Sequence, residues 1–102
     1  MVKIKFAKMS VRAVIPTKRQ EDAGYDVYAD VIEPMIIYPG QTSLIPTSIC
    51  SVIPDGYCII LKERGSTGVR GIGQRSGVID SGFRGEWKGP LTKHTNKTPV
   101  LR

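Results

Sequence analysis

Hydrophobic and polar residues alternate along much of this chain. Val2, Ile4 and Phe6 are separated by lysines, and Tyr25, Val27 and Ala29 are separated by Asp26 and Tyr28, with Asp30 following. A period of two places successive side chains on opposite faces of a strand. No window sustains the 3.6-residue period of an amphipathic helix. Further strand-like runs occur at about 35–38, 42–50, 57–63, 84–92 and 97–101. Glu33-Pro34, Pro39-Gly40, Pro54-Asp55-Gly56 and a glycine-rich stretch from Gly65 to Gly77 punctuate them as turns. The segment from Lys8 to Asp22 reads as a polar connection relieved only by Val14-Ile15. Short strands at regular spacing predict one all-β domain over residues 1–102, a sandwich or barrel of jelly-roll type. The final run, Thr98 to Arg102, opens like a strand. Its edge is expected either to be covered by another subunit or to continue into residues that are absent.

Composition narrows the class. With 102 residues, 40% hydrophobic and 24% charged, the chain can build one modest core and is not of disordered composition. No apolar run approaches the length that spans a bilayer, and MVKIKF is a strand pattern, not a signal peptide. A cytoplasmic protein without a membrane partner is expected. Fifteen basic against nine acidic residues give a net charge of +6, which favours an anionic partner. The basic residues are scattered, with no basic tail and no aromatic stripe between them. A phosphate-bearing small molecule accounts for that charge at least as well as a nucleic acid, which the composition does not favour. Cys50 and Cys58 flank the Pro54-Asp55-Gly56 turn at a spacing that allows neighbouring strands but is no metal motif. They read as buried free thiols of a reducing compartment. Asn96-Lys97-Thr98 matches a glycosylation sequon by chance, since nothing else points to secretion.

Three segments carry residues suited to chemistry. Gly77 to Trp87, GVIDSGFRGEW, sets Asp80 in what reads as a Gly-bounded hairpin, with Phe83 and Arg84 close behind. Asp80 there either caps turn amides or orients a water as a base. Glu63 to Gly68, ERGSTG, leaves a strand-like run for a glycine-rich turn. That run is either an ordinary solvated turn or an anion cradle of hydroxyls and backbone N–H groups, with Arg64 adding a bidentate charge. It is not a P-loop, and Gly71, Gly73 and Gly77 do not complete a dinucleotide pattern. Ala23 to Ala29, AGYDVYA, reads as a strand bearing an outward acid. Asp26 either pairs with an arginine or reaches a metal-bound water. No His/Cys/carboxylate cluster suggests a tightly held metal, no Ser/His/Asp set suggests a nucleophile, and His94 reads as a surface residue.

Taken in this order, the three segments resemble the trimeric dUTP pyrophosphatases (dUTPases). AGYDVYA resembles that family's first motif, ERGSTGVRGI at 63–72 its second, and GVIDSGFRGEW, the most specific match, its third. The run from Gly89 to Lys97 resembles the family's segment just beyond the third motif, so the likeness covers nearly the whole chain. It implies a jelly-roll-like distorted β-barrel of the dUTPase-like (β-clip) type, a homotrimer with sites at subunit interfaces, and Mg2+-dependent hydrolysis of dUTP to dUMP and pyrophosphate, which keeps uracil out of DNA. Carried over by position, Asp80 would activate the water that attacks the α-phosphorus. Phe83, where Tyr is usual, would lie against deoxyribose and leave no room for a 2′-hydroxyl. Gly77, Val78 and Ile79 would bring main-chain groups to the uracil edge, and Gln74 falls where some members place a base-contacting Asn. Arg64, Gly65 and Ser66 fall on the phosphate-contacting segment, Lys88 on a further nucleotide contact, and Asp26 on a carboxylate that hydrogen-bonds magnesium-bound water.

Three features depart from the family pattern. Gly65 stands where a phosphate-binding Ser is common, the stretch between the second and third motifs is short, and the fourth and fifth motifs have no counterpart. The resemblance is therefore to a C-terminally truncated phage or bacterial member. Two alternatives stand beside it: a non-catalytic nucleotide-binding or trimeric interaction remnant of the same fold, and the related dCTP deaminases, whose His-Trp-Ile-Asp-Pro-like run is missing.

Overall fold

The structure, a computed structural model, describes residues 2–94 and 100–101. Its elements in chain order are β1 (Lys5–Lys8), β2 (Met35–Ile36), β3 (Thr42–Pro46), β4 (Ile49–Val52), β5 (Cys58–Ile60), α1 (Gly65–Val69), β6 (Ile72–Gln74), β7 (Val78–Asp80), β8 (Lys88–Lys93) and β9 (Val100–Leu101). All pairings between these strands are antiparallel: β1 with β4, β2 with β9, β5 with β7, and β3, β8 and β6 in one sheet with β8 at its centre. The expected all-β architecture is present, assembled from short strands that pair with partners distant in sequence. Among the described residues no helix is long and apolar enough to cross a membrane.

The run at 42–50 is two strands, not one. Ser48 has φ 55°, a left-handed conformation that breaks the ladder. There the chain leaves β8 for β1, so β3 and β4 belong to different sheets. The break is stabilised from both sides. The Ser48 amide donates to Glu86 Oε2 at 3.0 Å, and the Thr47 hydroxyl donates to the Trp87 carbonyl at 2.6 Å.

Trp87 is the centre of the core. It is 2% exposed and packs with Ala13, Ile49, Ile53 and Ile79. Its indole N–H donates to Ser51 Oγ at 2.9 Å, and its ring meets Phe6 edge-on with centroids 5.3 Å apart. The buried donor is thereby satisfied while the ring contributes its large apolar area.

Three expectations from the alternation are corrected. Residues 25–29 form no strand; only an isolated bridge joins Asp26 to Thr17, with Tyr25 and Tyr28 exposed and Val27 half-buried. In the connection from Lys8 to Asp22, Ala13 and Pro16 are buried, Ile15 is half-buried and Val14 is exposed. A turn with the Ala13 amide donating to the Ser10 carbonyl points Ala13 inward. Asp30 fixes that turn by accepting from Ser10 Oγ at 2.7 Å and Arg12 Nε at 3.0 Å. Hydrogen bonding from Ser48 and Ser10, followed by Arg12, holds the Asp30 carboxyl below its ordinary value. Finally, the two cysteines are neither buried nor on paired strands. Cys50 is half-buried in β4 and Cys58 is exposed in β5, and those strands pair with β1 and β7 respectively.

The other long runs shrink at their ends. Strand structure within 57–63 is confined to β5, and within 84–92 it begins only at Lys88. The glycine-rich stretch holds a turn of helix and then β6. In the final run, Val100 and Leu101 pair with Ile36 and Met35, so that edge meets β2 of the same chain. Residues 95–99 of that region lie outside the described residues.

Candidate functional site

Gly77 sets the position of β7. Its φ is 103°, and a Cβ there would stand 2.9 Å from the Leu61 carbonyl oxygen. The Leu61 amide donates to the Gly77 carbonyl at 2.8 Å, so the two backbones close in a way only glycine allows. From this point Val78, Ile79 and Asp80 pair with Ile60, Ile59 and Cys58. Alternation along the strand sends Ile79 into the core and leaves Val78 and Asp80 exposed. The sequence reading of a hairpin around Asp80 is corrected here. β7 pairs with β5, and the following chain runs irregularly through residues 81–87 before entering β8 in another sheet.

The turn after Asp80 shapes a cleft. The Phe83 amide donates to the Asp80 carbonyl at 3.1 Å, and the Arg84 guanidinium donates to the Ser81 and Phe83 carbonyls. These bonds fold the Phe83 ring back over Gly85, where an added Cβ would lie 2.8 Å from Phe83 Cζ. The result is a cleft of about 270 Å³ lined by Val78, Ile79, Asp80, Phe83, Glu86 and Lys88. Its composition is a carboxylate, an aromatic ring, an ammonium and the outer edge of a strand. The Asp80 carboxylate has no hydrogen-bond or ion-pair partner among the described residues. Glu86 is different, because its carboxylate is committed to the Ser48 amide.

A second cleft, of about 540 Å³, brings Arg64 together with Asp26, Lys18, Arg19, Asp22 and Tyr28. Asp26 is held there by reciprocal backbone bonds to Thr17, at 2.6 and 3.2 Å. Arg19 donates to Asp22 and pairs with Glu21, and its side-chain and backbone bonds hold the Asp22 carboxyl below its ordinary value. Lys18 Nζ donates to the Asp22 carbonyl at 3.0 Å. Arg64 is the N-cap residue of α1, and Gly65 and Ser66 form its exposed first turn.

The sequence-derived candidates thus fall into two groups. Val78, Ile79, Asp80, Phe83 and Lys88 share the first cleft, while Arg64 and Asp26 share the second, and no residue lines both. Gly77 lies behind β7 as a backbone hinge. Gly65, Ser66 and Gln74 line neither cleft. The Gln74 side-chain amide donates to the Arg75 carbonyl at 3.0 Å, and its backbone amide donates to Glu63 Oε1. That backbone N–H is the main reason the Glu63 carboxyl lies below its ordinary value. Sequence reasoning missed Glu86, Lys18 and Arg19. The available signals were the Gly85-Glu86 pair within the third motif and two adjacent cations just ahead of the first. Among the described residues no three His, Cys, Asp or Glu side chains cluster to hold a metal ion, and His94 is exposed.

Comparison with known proteins identifies the family and the fold. The dUTPase family model matches residues 12–101. The deoxyuridine 5′-triphosphate nucleotidohydrolase of Chlamydia muridarum is 38% identical over 85 residues, covering 79% of this chain and 59% of the relative. The corresponding Nautilia profundicola protein is 36% identical over 100 residues, covering 94% of this chain and 69% of the relative. Against these two relatives the chain thus spans 59% and 69% of their length. Among solved structures, the dUTPase of phage phi11 of S. aureus, described as coordinating a structural Mg(II) ion, superposes with a TM-score of 0.82 at 24% identity, over 93% of this chain and 62% of that one. The EIAV dUTPase superposes with a TM-score of 0.84 at 24% identity, over 97% and 78%. The fold is therefore the dUTPase jelly roll, and with nearly its whole length matched by the family model the chain belongs to the dUTPase family.

Proposed function

We propose that this chain hydrolyses dUTP to dUMP and pyrophosphate with Mg2+, as a cytoplasmic homotrimer. The observation that carries the reading is the first cleft, where Asp80, Phe83, Lys88 and the outer edge of β7 converge. Among the described residues β7 pairs on one side only, so main-chain groups on its other edge are open to a ligand, apart from the Asp80 carbonyl, which accepts from Phe83. Ile79 lines the cleft, but its side chain packs into the core and its backbone faces Ile59 of β5, so the open main-chain groups belong to its neighbours on β7. Such an edge suits the uracil ring, whose N3–H and O4 need an acceptor and a donor side by side. A donor aimed at O4 meets the amino group of cytosine instead, and the buried mismatch rejects it. Gly77 keeps that edge in register.

On this reading Phe83, which lines the same cleft, flanks the sugar and its ring closes the space a 2′-hydroxyl needs. Asp80 carries two unengaged acceptor oxygens, which can hold a water and take its proton as that water attacks the α-phosphorus. Lys88, Arg64 and the exposed turn at Gly65 and Ser66 supply positive charge and donors to the phosphates. Gln74 would reach the base only after releasing the Arg75 carbonyl.

The donor set fits magnesium held through water. Mg2+ takes few protein carboxylates and keeps several waters beside substrate phosphates. In the second cleft Asp22 is engaged by Arg19, which leaves Asp26 as the carboxylate to accept from metal-bound water. Bound there, the ion would neutralise phosphate charge.

The two clefts are separate in one chain, and on this reading a complete site combines the first from one copy with the second from another. Ile60 and Val78 support such an interface, since they stand opposite each other on the β5–β7 ladder and are 64% and 60% exposed. Pyrophosphate release from dUTP, dCTP and UTP in the presence of Mg2+ tests the reading. Turnover of dUTP with little of the others is expected. Equal rates on UTP contradict the role of Phe83, and no turnover of dUTP leaves the non-catalytic binding module as the better account.

A further inference from the structure

Helix α1, which follows its N-cap residue Arg64, has no fully buried residue. It has no side-chain N-cap bond, and Thr67 is its only half-buried residue, so packing and capping hold its start weakly. Its C-terminal end is different. Lys93, in the last position of β8, is 2% exposed, and its Nζ donates to the Arg70 carbonyl at 2.7 Å. The next residue adds a second tie, with the His94 amide donating to the Gly71 carbonyl at 2.7 Å. Lys93 itself stands opposite the buried Ile72 of β6. An ammonium is costly to remove from water, and the carbonyls at a helix C-terminus are where its charge is best used.

We propose that Lys93 is a positioning residue for the phosphate-contacting segment. Its buried ammonium pins the C-terminal end of α1 to β8 and thereby fixes where Arg64, Gly65 and Ser66 point. The inference rests on the reading of that segment as the phosphate contact. It assigns Lys93 no contact with substrate.

Two measurements on wild type and Lys93→Met test it. The first is amide hydrogen exchange. Gly68, Arg70 and Gly71 amides, which bond to the Arg64, Thr67 and Gly68 carbonyls, should exchange about tenfold or more faster in the variant, while Leu61 and Trp87 amides are unchanged. The second is the affinity for deoxyuridine and for the imido analogue of dUTP. Deoxyuridine binding should hold within about twofold while the triphosphate loses about tenfold or more. Lys93→Arg, which keeps a cationic donor, should recover most of the loss. Unchanged exchange in α1 overturns the proposal, as does an equal loss on both ligands. If wild type binds deoxyuridine and the triphosphate equally, the phosphate reading of Arg64 to Ser66 fails, and exchange in α1 still decides whether Lys93 is the anchor. Should Lys93→Met not fold, Lys93→Gln, whose donor falls one atom short of the carbonyl, carries the same comparison with the same outcomes.

Discussion

Replacing Gly85 with alanine tests the sugar wall without touching a group that reacts. The new methyl would lie 2.8 Å from Phe83 Cζ and 3.1 Å from Cε1. Carbon atoms in contact prefer about 3.5–4.0 Å, so the ring must retreat by roughly 0.7–1.2 Å. The backbone at Gly85 does not have a positive φ, and alanine is tolerated there. The ring is 43% exposed and can swing outward, so the fold should lose about 1 kcal/mol or less. Function should suffer more. Misplacing a positioning group by about 1 Å can cost about 10²-fold in rate. A displaced ring also reopens space for a 2′-hydroxyl. We expect kcat/KM on dUTP to fall about 10- to 100-fold and the preference for dUTP over UTP to narrow about tenfold, which corresponds to about 1.4 kcal/mol. Steady-state kinetics on both substrates, beside a thermal melt, measures this. Wild-type rate and wild-type discrimination in Gly85→Ala would refute the assignment of the Phe83 ring to the sugar.

Gly77→Ala should destabilise the fold by about 1–3 kcal/mol, because the residue has φ 103° and its Cβ would stand 2.9 Å from the Leu61 carbonyl. A urea midpoint indistinguishable from wild type would contradict that. Acid stability should depend on Asp30. Its folded-state carboxyl is depressed below the ordinary value of 3.8, so its contribution is complete above that value and is lost as pH falls through the lower folded-state one. Urea unfolding followed from neutral pH into the acid range should show a shallower acid loss in Asp30→Asn than in wild type. Parallel profiles would count against it.

The strand character and the three chemical segments were legible because alternation and glycine placement are local signals. Asp80, Phe83 and Lys88 line one cleft, and Arg64 and Asp26, some forty residues apart in the chain, line another. What failed depended on tertiary context. Residues 25–29 alternate as a strand does, yet only Asp26 finds a partner, so no ladder forms. The break at Ser48 is stabilised by Glu86 and Trp87, residues far away in sequence that no local window contains. Ala13 is buried and Val14 exposed because a turn tied to Asp30 rotates the segment, an effect that outweighs side-chain hydrophobicity. β7 pairs with β5 and not with the chain beyond Asp80, and nothing in GVIDSGFRGEW itself distinguishes the two pairings.

The central claim is that the Asp80 carboxylate aims water at a deoxyuridine triphosphate lodged against Phe83 and the edge of β7. Asp80→Asn measures it most directly, because it keeps the shape of the side chain and removes its charge. Pyrophosphate release from dUTP should drop by about 10² to 10⁴-fold, the range of a lost general base, while dUMP binds as in wild type. Turnover that survives the substitution would contradict the account.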